Sequence, residues 1–186
     1  MIRNAFFALL LVGSPAFALE LSLPGSVITR AENSPASSTR LPTETWSPGA
    51  APEIVEGAIR KRVLRVGGGS QTTLQLLIPL REELINAGFS EVFSCESLTC
   101  GGFDFRFQLD LLGEPEMHVD LGDFRFLSAA ASSTTEEPAH IQVIVSRSNT
   151  NGFVQITSIG RSVASQPIIT ATKTPTASTV GDPAQT

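Results

Sequence analysis

At 186 residues, with a formal net charge of −5 at pH 7 and 41% hydrophobic residues, the chain is long enough for one domain with a sizeable core and short for two. The acidic balance argues against a general nucleic-acid or anionic-membrane surface, which needs a concentrated basic patch. Tyr is absent and only 2 Cys and 2 His occur, so nucleophiles, bases and soft metal ligands are few.

Residues 1–18 read as a secretory signal, with Arg3 as the charge, an apolar run over 5–13 and Ala16-Phe17-Ala18 as the small-x-small cleavage site. The run is shorter than the roughly 20 residues needed to span a bilayer. Cleavage before Leu19 leaves no transmembrane segment, and no Cys follows to carry a lipid anchor. Export into an oxidising periplasm lets Cys95 and Cys100 pair as a structural disulfide. Their Cys-x4-Cys spacing, with no second Cys/His pair, suits neither a redox motif nor a zinc site.

Residues 19–53 form an irregular N-terminal segment in this reading. The part over 31–52 is rich in Ser, Thr, Pro, Ala and Gly, with Trp46 as its one large anchor. An α+β domain then covers 54–165. A strand over 55–66 runs into Gly67-Gly68-Gly69-Ser70, and its basic run Arg60-Lys61-Arg62 with Arg65 reads as the solvated side of that strand. Leu74, Leu77, Ile78, Leu80, Leu84 and Ile85 recur at helical spacing and predict one long helix over 72–88. Thr72 or Thr73 caps it, Pro79 bends it and Ala87-Gly88 ends it. The glycine run is no phosphate cradle, because Ser70-Gln71-Thr72-Thr73 follows where a P-loop requires Lys-Ser/Thr.

A strand over 89–94 leads into Cys95. Phe103, Phe105, Phe107, Leu109 and Leu111 alternate with polar residues, which predicts a half-buried strand over 103–111. Asp123-Phe124-Arg125-Phe126 repeats the letters of Asp104-Phe105-Arg106-Phe107, but the flanks differ and no structural repeat follows. Strands over 124–131, 141–146 and 153–159 are joined by turns at 132–138 and 149–152, the second a hairpin signal. Residues 166–186, rich in Thr, Pro, Ala and Ser, read as a disordered tail or linker.

No complete catalytic motif, cofactor motif or metal motif emerges. His118 and His140 are the only bases poised near neutral pH, and there is no Gly-x-Ser-x-Gly elbow. His118, Asp120 and Asp123 make a weak metal-like cluster that reads more simply as a solvated edge, and Pro115 between Glu114 and Glu116 places those two carboxylates in a loop.

Several stretches carry a resemblance. Val55-Glu56-Gly57-Ala58, the predicted helix, Phe93-Ser94-Cys95-Glu96, the run from Cys100 through Gly101, Gly102, Phe103, Asp104, Phe105 and Arg106 to Phe107, and Val119-Asp120-Leu121-Gly122 with Asp123, Phe124, Arg125 and Phe126 together resemble the N-terminal periplasmic region of certain OmpA-family envelope proteins. More distantly they are similar to a periplasmic domain of unknown function with a Phe-x-Cys-x4-Cys-Gly core. The likeness covers 19–165. It implies a periplasmic, outer-membrane-associated module, followed in that family by a linker and a peptidoglycan-binding domain. Nothing after Ser165 resembles that domain's Asn-x-x-Leu-Ser-x-x-Arg-Ala signature, so contact with peptidoglycan would run only through a downstream domain not present here. The resemblance also implies a second, short helix after Cys100, in competition with the strand over 103–111.

The resulting expectation is a single α+β domain, mainly an antiparallel sheet packed with one long helix. Its expected function is a non-catalytic cell-envelope module that docks on envelope proteins or spaces a wall-binding domain, without cofactor or nucleic acid. The alternative is an exported hydrolase using His118 or His140.

Overall fold

A computed structural model describes residues 19–132 and 138–161. The expected signal and tail therefore lie outside the described residues, as does most of the turn at 132–138. Within them, six strands form one antiparallel sheet: β1 (Ser26–Leu41), β2 (Glu53–Gly67), β3 (Phe89–Glu96), β4 (Phe124–Ala131), β5 (His140–Arg147) and β6 (Asn151–Ile159), in spatial order β1-β2-β6-β5-β4-β3. The helices are α1 (Thr73–Asn86), α2 (Ser97–Cys100) and α3 (Gly102–Arg106), so the expected antiparallel sheet is present and the fold is mostly β, which bears out α+β only in part.

Two connections cover the two faces of the sheet. From β2, near one edge, α1 crosses to β3 at the far edge and lays Leu76, Leu77, Leu80 and Leu84 on Leu64, Leu127, Val143, Val154 and Ile156. From β3 to its neighbour β4, residues 97–123 return over the opposite face and pack Cys100, Phe105, Leu109 and Met117 on Val63, Phe124, Phe126, Ile144 and Phe153. Strand alternation divides these residues between the faces, since successive side chains point to opposite sides. β4, β5 and β6 form a meander whose last turn falls at the expected Asn149-Thr150.

The expected helix forms with its start fixed by a capping box: Thr72 Oγ1 accepts from Gln75 N–H at 3.2 Å, and Gln75 Oε1 accepts from Thr72 N–H at 2.9 Å. It continues through Pro79 and ends at Ala87 and Gly88. Its buried stripe is shifted, because Leu76 joins Leu77, Leu80 and Leu84 in the core while Leu74, Ile78 and Ile85 remain exposed.

Three expectations are corrected. Within the expected irregular segment, 26–41 is instead β1, a 16-residue edge strand held by backbone pairing with β2, while 42–52 has no regular structure; most β1 side chains are exposed, so burial imposes no hydrophobic alternation on them. The strand over 103–111 gives way to α3 and a non-regular stretch, so of the two competing expectations the short helix after Cys100 is the one that forms. In a one-turn helix Phe103 and Phe107 face outward and Phe105 inward, which mimics the alternation of a strand. Arg62 is not solvated but 5% exposed, with Nη1 on Glu20 at 2.5 Å and Nη2 donating to Leu21 O at 3.3 Å.

Candidate functional site at the disulfide knuckle

The Cys95–Cys100 disulfide is present, with Cα atoms 5.1 Å apart, and it joins the end of β3 to the last residue of α2. Ser97 turns the chain at φ 35°, and its hydroxyl accepts from Phe124 N–H at 3.1 Å and donates to Phe124 O at 3.2 Å, pinning the turn to β4. The β1–β2 loop clamps the other side. Trp46 N–H donates to Cys100 O at 2.8 Å, and Thr45 Oγ1 donates to Thr99 O at 3.0 Å. Gly101, at φ 111°, is required twice over: its backbone is left-handed, and a Cβ there would sit 2.7 Å from Trp46 Cβ. Gly102 follows at φ 60°, so two successive glycines start α3.

That turn divides the aromatic motif between core and surface. Phe105, 0% exposed, sits 6.3 Å from Phe124 in a stacked pair and 5.2 Å from Phe126 edge-on, ring centroid to centroid. Phe103 and Phe107, one helical turn apart, are 57% and 54% exposed and pack edge-on at 4.7 Å. Leu98, 85% exposed, lies beside Gly102, its Cδ2 3.8 Å from where a Cβ on that glycine would sit. Arg106 lies 5.7 Å over the Phe107 ring. Phe103 and Phe107, expected on the buried side of a half-buried strand, are thus exposed apolar side chains of the knuckle, a consequence of tertiary placement that local periodicity does not encode.

Below α3 the connection is tied to β1. Arg40 pairs with Asp110 Oδ1 at 2.5 Å, its backbone N–H donates to Oδ2 at 2.9 Å, and Thr39 Oγ1 donates to the same oxygen at 2.9 Å. Partial burial alone would raise the Asp110 carboxyl, but these hydrogen bonds and the Arg40 charge outweigh it and hold the group below the ordinary carboxylate range. Gln155 reads the backbone beside it, donating to Asp110 O at 3.0 Å and accepting from Leu112 N–H at 2.7 Å. Thr39, Asp110, Gln142, Gln155 and Thr157 enclose a cavity of ≈ 10 Å³, about the space of one water molecule.

The other expected site residues are dispersed into structural pairs. Asp123 accepts from Thr73 Oγ1 at 2.8 Å and from Arg147, joining α1 to β5. Burial would raise its carboxyl, but Arg147, Thr73 and the charge of Arg125 bring it below the usual value. Arg125 pairs with Glu96. Asp120 Oδ1 accepts from Gly122 N–H at 2.8 Å, and His118 Nδ1 lies 2.8 Å from Glu114 with its ring 5.7 Å from Phe153. His118, Asp120 and Asp123 do not converge, and no group of three metal-competent side chains occurs among the described residues. His140 begins β5, and its buried Nδ1 has no hydrogen-bond partner among the described residues. No described helix is long and apolar enough to cross a membrane. The chain matches no protein-family model and no curated protein.

Proposed function

We propose that the chain is a non-catalytic module of the cell envelope, exported across the inner membrane, that docks on an envelope protein through the knuckle and so positions or spaces a peptidoglycan-binding domain. The observation that carries this is the exposure of Leu98, within the ring closed by Cys95–Cys100, and of Phe103 and Phe107, on the helical turn that follows it. Exposed apolar side chains on a rigid support keep the ordering entropy of binding low, and aromatic residues are favoured anchors at interfaces. Export is supported by the order of residues 1–18 and by the disulfide, which persists in an oxidising compartment. Resemblance to the periplasmic region of OmpA-family proteins supports the envelope and the outer-membrane association.

A photoreactive residue in place of Leu98 tests the reading in living cells, because that side chain supports no core contact. The expected result is a discrete adduct with an envelope protein that disappears when Phe103→Ser and Phe107→Ser are combined. No adduct from a correctly exported, oxidised chain would remove the docking role.

A further inference from the structure

The docking reading leaves the partner open, and the arrangement of charge on α3 identifies one. We infer that the knuckle pairs with the same surface on a second copy of this chain. The helix advances about 100° per residue, so Asp104 and Arg106 lie about 80° to either side of the stripe made by Phe103 and Phe107. Phe105 points the opposite way into the core, which fixes the stripe outward. On the same side of the sheet Arg40, which ties β1 to the connection after α3, is paired with a carboxylate. Asp104 and Arg106, by contrast, have no charged or hydrogen-bonding side-chain partner among the described residues, and Arg106 rests only on the Phe107 ring.

An aromatic stripe with one unpaired acid on one flank and one unpaired base on the other is complementary to itself. A two-fold axis parallel to α3 brings Asp104 of each copy against Arg106 of the other while the aromatic pairs meet between them. A two-fold axis across the helix would set like charges together, so the charge pattern also selects the orientation. Leu98, Phe103 and Phe107 form a smaller patch than the roughly 800 Å² per partner of a stable interface. The dimer is therefore reversible and concentration-dependent.

This inference rests on the docking role of the knuckle, and sedimentation equilibrium of the oxidised full chain separates the two. The wild type should shift from monomer to dimer with rising concentration. Asp104→Arg alone or Arg106→Asp alone should weaken association by at least about tenfold, because each sets like charges face to face. The double variant D104R/R106D should recover wild-type association, since exchanging both charges restores the match between copies. Circular dichroism and unchanged melting establish that these surface variants fold. A wild type that stays monomeric up to about 1 mM, or a double variant no better than the single ones, overturns self-pairing. If the Leu98 adduct still forms with a different envelope protein in that case, only the identity of the partner is wrong; if that adduct is also missing, docking fails with it.

Discussion

On one face of the sheet a continuous 14-residue helix delivers Leu76, Leu77, Leu80 and Leu84 to an aliphatic core, whereas on the other α3 delivers Phe105 and the non-regular stretch after it delivers Leu109 and Met117. The helix is specified by its own sequence: a capping box starts it, the apolar period orients it, and burial holds it against Leu64, Val154 and Ile156. The knuckle side has no such local code. Its backbone is held instead by Cys95–Cys100, by the Trp46 clamp and by the Arg40–Asp110 tie. The contrast is one of redundancy in what each connection contributes, since α1 brings several leucines while residues 97–123 bring one fully buried ring, Phe105, to the aromatic cluster.

That difference predicts the largest effects. Phe105→Ala should destabilise the fold by about 4 kcal/mol and Leu80→Ala, equally buried but surrounded by other leucines, by about 3 kcal/mol. Urea unfolding of the two variants checks the order. A Phe105→Ala loss clearly smaller than the Leu80→Ala loss would show that the aromatic side is not held by one plug.

The same contrast explains what could be read in the sequence. The helix itself was legible because periodicity and capping are local: Thr72 and the Leu77, Leu80 and Leu84 positions lie within one short window, although Leu76 in place of Leu74, Ile78 and Ile85 completes the buried stripe. β4, β5 and β6 were legible for the same reason, and the disulfide followed from the short Cys95–Cys100 spacing under the expectation of export. β1 was missed because an exposed edge strand is selected by its backbone pairing and leaves little hydrophobic pattern. Periodicity alone could not separate α3 from a strand, because outward Phe103 and Phe107 around inward Phe105 satisfy a period of two as well as a single helical turn, and only the resemblance pointed to the short helix after Cys100. Leu98 gave no signal, since its exposure follows from where the α2 turn sits. The Arg40–Asp110 tie joins residues with a sequence separation of 70, which no local pattern announces.

Breaking the staple should expose the asymmetry directly. Closing a ring of six residues contributes about 2 kcal/mol by restricting the unfolded chain, so reduction or Cys95→Ser should lower stability by that amount. Hydrogen exchange locates the effect. Amides of α2 and α3 should lose protection on reduction while those of α1 keep theirs, because the two sides open as separate units. Equal loss on both sides, or unchanged melting, would mean that the disulfide does not organise the knuckle.

The smallest expected effect concerns the tie between β1 and the knuckle connection. Asp110 is held below its ordinary pKa of 3.8, so the native state favours its charged form relative to the unfolded chain. A depressed carboxyl contributes fully above the unfolded pKa and loses its contribution as the pH falls through the lower folded value, so wild-type stability should decline below about pH 3.8. Asp110→Asn keeps the shape but not the charge that Arg40 reads. It should cost about 1 kcal/mol at neutral pH, a pair this exposed being strongly screened, and the difference from wild type should shrink towards zero in strong acid, where both side chains are neutral. Asp123 is depressed as well and remains in both proteins, so the variant should keep part of the acid dependence and lose only the share of the knuckle side. Melting curves of the two proteins between neutral pH and strong acid read this difference, and parallel curves would show that the Arg40–Asp110 contact holds its geometry without stabilising the fold.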